Sequence, residues 1–128
     1  MLIGAPSKER LFFADHLRDL GAEVRTATED GSEGYAGLVT DLLEVCLGAS
    51  EEIEIFACGP EGMLKGVAAL STDRDIPCQL SLEARMPCGL GSCQGCVVEV
   101  RPCPGEEAPQ YRRVCVDGPV FDAREVIL

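Results

Sequence analysis

Four cysteines, Cys88, Cys93, Cys96 and Cys115, read C-x4-C-x2-C-x18-C. Thiolates are soft ligands, and this is the plant-type spacing of a [2Fe-2S] cluster, which takes four of them. The run C-G-L-G-S-C-Q-G-C puts Gly89, Gly91 and Gly95 where a loop around a cluster must turn sharply and aim backbone N–H groups at sulfur. A structural zinc is the main alternative. Zinc sites usually combine two separate C-x2-4-C knuckles, however, and here Cys88 stands four residues off the Cys93 and Cys96 knuckle while Cys115 has no near partner. Disulfides or free thiols are a third reading. Cys103, between Pro102 and Pro104, falls in an expected exposed loop and reads as a spare, oxidation-prone thiol. Leu90, on its Gly-flanked turn, is either a contact for a redox partner or a small apolar plug over the cluster.

Two further places could meet a ligand. Cys58-Gly59-Pro60 follows a strand and opens a helix, where a thiol feels the positive end of the helix dipole at a sheet's carboxyl edge. The run Glu29-Asp30-Gly31-Ser32-Glu33-Gly34 follows another strand and can only be a loop. Read alone, the first is an ordinary strand-to-helix turn and the second an ordinary solvated loop. His16, the single histidine, sits beside Asp15 and Asp19 on a polar helix face and reads as a solvated residue.

These positions need elements to hold them. Met1 to Gly4 is a short apolar stretch. Ser7 then caps an expected helix with Phe13, Leu17 and Leu20 at i, i+4 and i+7, stopped by Gly21. Glu23 to Thr28 reads as a strand, and Ala36 to Leu47 as a helix with a broad apolar face. Ile53 to Ala57 is the next strand. Pro60 suits the first position of a helix that runs to about Leu70, and a strand follows with Cys78, Leu80 and Leu82 facing inward. The order β-α-β-α-β-α-β predicts an α/β fold: an incomplete Rossmann-like parallel sheet with helices on both faces, over residues 1–83. Residues 84–128 change character. Gly, Pro and Cys become dense, and only Val97 to Arg101 and Arg112 to Val116 read as strands, joined by a Pro102 to Pro109 hairpin loop. A small cysteine-rich [2Fe-2S] β unit that a metal cluster helps to fold is expected there.

The chain has 128 residues, 46% of them hydrophobic and 5% aromatic, which excludes a large multidomain enzyme. Eleven Lys and Arg against 22 Asp and Glu give a net charge of −11, which opposes nucleic acid and anionic membrane partners. No apolar run approaches a transmembrane length, and no signal-peptide pattern opens the chain, so a cytoplasmic setting is expected. Eight cysteines without an export signal favour metal ligands or reactive thiols over a disulfide scaffold.

Met86-Pro87-Cys88 through Cys96-Val97, followed by Y-R-R-V-C-V-D-G-P-V-F from Tyr111 to Phe121, resembles the electron transfer subunits of NAD-dependent dihydroorotate dehydrogenase. Ile3 to Glu9, Ala27 to Gly34 and Phe56 to Pro60 resemble the nucleotide-binding domain of the ferredoxin-reductase superfamily, so the likeness covers nearly the whole chain. It implies an electron relay in pyrimidine biosynthesis. A catalytic dihydroorotate dehydrogenase subunit carrying FMN would be the partner, electrons would cross the [2Fe-2S] cluster to FAD, and NAD+ would take a hydride. It also implies metal ligation by Cys88, Cys93, Cys96 and Cys115, and cofactor contacts at Thr28, Asp30, Gly31, Ser32, Cys58, Gly59 and Pro60. The flavin subunit of a sulfhydrogenase, an NADH-dependent ferredoxin:NADP+ oxidoreductase, a stand-alone carrier and a zinc module are the alternatives.

The resemblance lacks two parts: the FAD-binding barrel and the first β-α unit of the nucleotide domain, whose Gly-rich turn meets the phosphates. In a 3-2-1-4-5 sheet the missing strand is central, leaving unpaired edges that close up, take a second copy in a homo-oligomer, or belong to a longer protein. The chain alone is therefore expected to bind a cluster, NAD weakly and FAD not at all, and not to be catalytic by itself.

Overall fold

The computed structural model describes residues 1–48, 53–102, 105 and 108–128. It is a mixed α/β chain that separates into two compact units, Met1–Glu51 and Glu52–Leu128.

In the first unit, β1 (Leu2–Ala5) pairs in parallel with β2 (Arg25–Thr28), Ile3 opposite Thr26, and β2 pairs in parallel with the two-residue β3 (Tyr35–Ala36). Burial of Thr26, Ala27 and Thr28 marks β2 as the central strand. The helix expected from Ser7 to Gly21 is broken. A 3-10 turn at Lys8–Arg10 gives way to α1 (Ala14–Asp19), and Phe13 between them is left-handed at φ 65°. Ser7 makes no side-chain cap, and within this unit Phe13 (75% exposed) and Leu20 (70%) have no apolar surface beneath them to favour a continuous helix. The next helix, α2 (Val39–Cys46), is shorter than expected and starts where the Asp41 carboxylate accepts the Leu38 N–H at 3.1 Å. It packs on β1 through Gly4, where a Cβ would fall 2.6 Å from that of Val39.

The second unit holds two three-stranded sheets. In one, β4 (Ile55–Cys58) leads through α3 (Glu61–Asp73), capped by Pro60, to the parallel β5 (Cys78–Ser81). In the other, β6 (Val97–Val100) and β7 (Gln110–Arg113) form an antiparallel hairpin. The loop between them includes Cys103, Pro104, Glu106 and Glu107, so the spare-thiol reading of Cys103 falls outside the described residues.

The strand expected over Arg112 to Val116 ends early. After Arg113 the chain coils into the single turn α4 (Val114–Asp117), so Cys115 sits on a helical turn and not within a strand. The Asp117 carboxylate causes this locally, by accepting the Arg113 N–H at 2.7 Å. Past a cis Gly118–Pro119 bond, β8 (Val120–Asp122) runs antiparallel to β5, and β9 (Val126–Ile127) runs antiparallel to β6. Neither strand is among the sequence expectations. Both sheets thus take their last strand from the end of the chain, and Leu64, Val67, Leu80, Val100, Val114 and Phe121 are buried in this unit.

Candidate functional site

The segment from Pro87 to Gly95 has no regular secondary structure, and it presents main-chain donors to sulfur. The Leu90 N–H donates to Cys88 Sγ and the Gly95 N–H to Cys93 Sγ, both at 3.4 Å. Gly91, left-handed at φ 78°, is buried where a Cβ would sit 2.6 Å from Val116 Cγ2, so only glycine lets the loop lie this close to α4.

The four thiols fall into two neighbouring pairs. Cys88 accepts hydrogen bonds from the Cys93 and Leu90 N–H groups and from the Cys93 thiol, which together bring its pKa down to about 6. Cys115 pairs with Cys96, and that hydrogen bond, with some burial, pushes the Cys115 thiol up; Cys88 adds to the same effect through its charge. Cys96 is buried and the Val114 N–H donates to its carbonyl at 3.0 Å, so the end of β7 is tied to the last cysteine of the loop. The seven cysteines among the described residues form no disulfide. Among those residues no three His, Cys, Asp or Glu side chains converge on a point that would hold a single metal ion.

The loop after β2 is closed by its own hydrogen bonds. Thr28 is fully buried; its hydroxyl donates to the Glu33 carbonyl at 2.7 Å and accepts the Glu33 N–H at 2.9 Å. Asp30 Oδ1 accepts from both the Ser32 hydroxyl (2.5 Å) and the Ser32 N–H (2.9 Å), and these bonds hold its carboxyl below the ordinary aspartate range. Gly31 supplies a positive φ, and Ser32 in turn accepts the Lys8 N–H at 2.7 Å. Thr28, Asp30, Gly31 and Ser32 therefore belong to one hydrogen-bonded turn at the carboxyl end of β2. In the second unit, Cys58 is exposed at the end of β4, and Gly59 and Pro60 lead into α3. An open cleft beside them is lined by Gly59, Glu61, Leu64, Leu82, Val98 and Ile127.

Residues 83–127 match the model of the iron-sulfur cluster binding domain of dihydroorotate dehydrogenase B. Over 121 residues, covering 94% of this chain, the sequence is 44% identical to the electron transfer subunit of dihydroorotate dehydrogenase B (NAD(+)) of Caldanaerobacter subterraneus subsp. tengcongensis. It is 44% identical to that of Bacillus caldolyticus over 99% of the chain. The likeness to these electron transfer subunits runs along nearly the whole chain. The sequence is also 38% identical, over 98% of the chain, to a probable dihydroorotate dehydrogenase B (NAD(+)) electron transfer subunit of Methanopyrus kandleri. The chain spans about half the length of these curated relatives, 46% of the first two. A solved structure of an NADH-dependent reduced ferredoxin-NADP oxidoreductase superposes with a TM-score of 0.80 at 30% identity, covering 98% of this chain and 43% of the other.

Sequence reasoning missed Arg113 and Asp117, which bracket Cys115. The signal was present as R-R-V-C-V-D, with charges two residues to either side of a candidate ligand, but it reads as strand alternation until the turn is seen. The cleft wall was also missed, because Val98 and Ile127 reach it from strands far apart in sequence.

Proposed function

We propose that this chain carries the [2Fe-2S] centre and part of the pyridine-nucleotide site of a dihydroorotate dehydrogenase B electron transfer subunit. In that role it relays electrons between an FMN-bearing catalytic subunit and an FAD/NAD centre in pyrimidine biosynthesis. Cys88 and Cys93 would hold one iron, Cys96 and Cys115 the other. The observation that carries this is the grouping of the four thiols as two pairs, with N–H groups already directed at sulfur. A tetrahedral zinc wants one point of convergence, whereas a two-iron centre takes its four thiolates two and two.

The bound cluster would supply one-electron chemistry. The chain's own part is to bring the four thiols together and to lay N–H donors on sulfur, which stabilises the extra negative charge of a reduced centre. Residues 84–128 would be the cluster-binding domain, and residues 1–83 part of an incomplete Rossmann-like NAD domain, in which Thr28 anchors the β2 turn and Asp30, Gly31, Ser32, Cys58, Gly59 and Pro60 line the nucleotide path. In keeping with this, β1 and β4 are each the end strand of their own sheet.

The likeness to the ferredoxin-NADP oxidoreductase structure keeps a second electron-transfer reading in view, but at 30% identity against 44% it is the weaker one. Anaerobic purification with iron, sulfide and zinc analysis, followed by EPR of the dithionite-reduced chain, tests the proposal. About two irons and two sulfides per chain with a rhombic S = 1/2 signal are expected for the four-thiolate cluster. One zinc per chain without sulfide would overturn it.

A further inference from the structure

Cys115 reaches the other thiols from a distant stretch of chain, so its turn must be fixed against the loop that carries them. The Val114 N–H bond to the Cys96 carbonyl fixes one end of that relation, but it does not reach the part of the loop between Cys88 and Cys93. Arg113 does. Its Nη1 donates to the Gly91 carbonyl at 3.2 Å, inside that loop. Its Nε approaches Asp117 Oδ2 at 3.4 Å, and its main-chain N–H donates to the same oxygen at 2.7 Å. One side chain therefore spans from just beyond Cys115 to the middle of the loop. The fit is close, because a Cβ on Gly91 would lie 3.2 Å from Arg113 Nη1 as well as against Val116. A surface ion pair alone would account for the Asp117 contact and leave the Gly91 contact unexplained.

We infer that Arg113 is a positioning residue: by bridging the Gly91 carbonyl and the Asp117 carboxylate it holds the Cys115 turn and the Cys88–Cys96 loop in one fixed relation, so that both thiol pairs face a single iron-sulfur group. The part that concerns the group rests on the cluster reading above. A guanidinium suits this task because its donors lie in a rigid plane and reach two acceptors at once, whereas a lysine ammonium is a single point charge.

The experiment uses the full chain as wild type, Arg113→Met and Arg113→Lys, each reconstituted anaerobically with iron and sulfide. Both variants are expected to lose iron to a chelator about 10–100-fold faster than wild type, the usual cost of removing a partner that orients a ligand. The reduced Arg113→Met protein is also expected to show displaced EPR g values. In the cluster-free chains, maleimide should label Cys115 faster relative to Cys58 in both variants, with melting temperatures unchanged. If Arg113→Met does not fold, Asp117→Asn replaces it. Its carbonyl still accepts the Arg113 N–H but no longer holds the guanidinium by charge, and the same release and labelling changes are expected.

Wild-type iron release and EPR in Arg113→Met, or complete rescue by lysine, would overturn the positioning role and leave the cluster reading intact. A wild-type chain that takes up no iron and sulfide would overturn the cluster reading. The Cys115 labelling of the cluster-free chains then decides the positioning alone, and an unchanged Cys115 to Cys58 ratio rejects it.

Discussion

Asp30 shows how much of the candidate nucleotide turn is built before any ligand arrives. Its carboxylate accepts two bonds from Ser32, and the ionised form is favoured by both. A carboxyl whose folded pKa lies below its unfolded value adds stability that is fully present above the unfolded pKa and is lost as pH falls through the folded one. The turn is therefore expected to be intact at neutral pH and to loosen only in acid. An NMR titration of the Asp30 carboxyl should give a midpoint below that of a free aspartate, and Ser32→Ala should raise it by removing the hydroxyl bond while leaving the Ser32 N–H bond. A midpoint that does not move in Ser32→Ala would show that the hydroxyl contributes nothing. At this scale the sequence was most readable where chemistry is local. The spacing of Cys88, Cys93 and Cys96 and the glycines between them suffice to suggest a thiolate cage, whereas the bridge from Arg113 to Gly91 depends on a turn that alternating residues disguise as strand.

At the scale of elements, β2, β4, β5 and β6 were legible because each is a short apolar or alternating run bounded by Gly, Pro or polar residues. The two-residue β3, the four-residue α4 and the strands β8 and β9 were not, since segments so short carry no periodicity and exist only through partners elsewhere. Leu80 opposite Phe121 is such a pairing. The split of the first helix has the converse cause: Phe13, Leu17 and Leu20 keep helical spacing, yet Phe13 and Leu20 stay exposed. Helix α3 forms where a helix was expected, with Leu64 and Val67 buried on one face. Leu64→Ala is expected to destabilise the second unit by about 2–5 kcal/mol, read from the urea midpoint of the cluster-free chain. A loss well under ~1 kcal/mol would mean that α3 packs less tightly than its burial implies.

At the scale of the whole molecule, Leu90 stands out. It is 83% exposed at the tip of the turn between Cys88 and Cys93, in a chain of net charge −11. A large aliphatic side chain held in water beside the candidate redox centre suits a protein partner that must come close to that centre. Leu90→Glu is expected to slow interprotein electron transfer with a dihydroorotate dehydrogenase catalytic subunit while iron content and EPR signal stay unchanged. An unchanged transfer rate with an intact cluster removes Leu90 from the docking surface.

The late strands β8 and β9 also set a timetable. Ser81 ends β5 and Val120 begins its antiparallel neighbour, so the ribosome must add the whole intervening stretch before β5 gains its second partner. At synthesis rates of roughly 5–20 residues per second, the newborn chain carries that bare edge for about 2–8 s. During this interval the backbone donors and acceptors of Leu80 and its neighbours are open to any other extended strand, including the same segment of a nascent copy. All four candidate ligands precede residue 120, so early capture of iron and sulfide would restrain the half-built unit before its sheets close. Starving the producing cells of iron during synthesis should then lower the soluble yield of this chain more than removing the metal after folding lowers its stability.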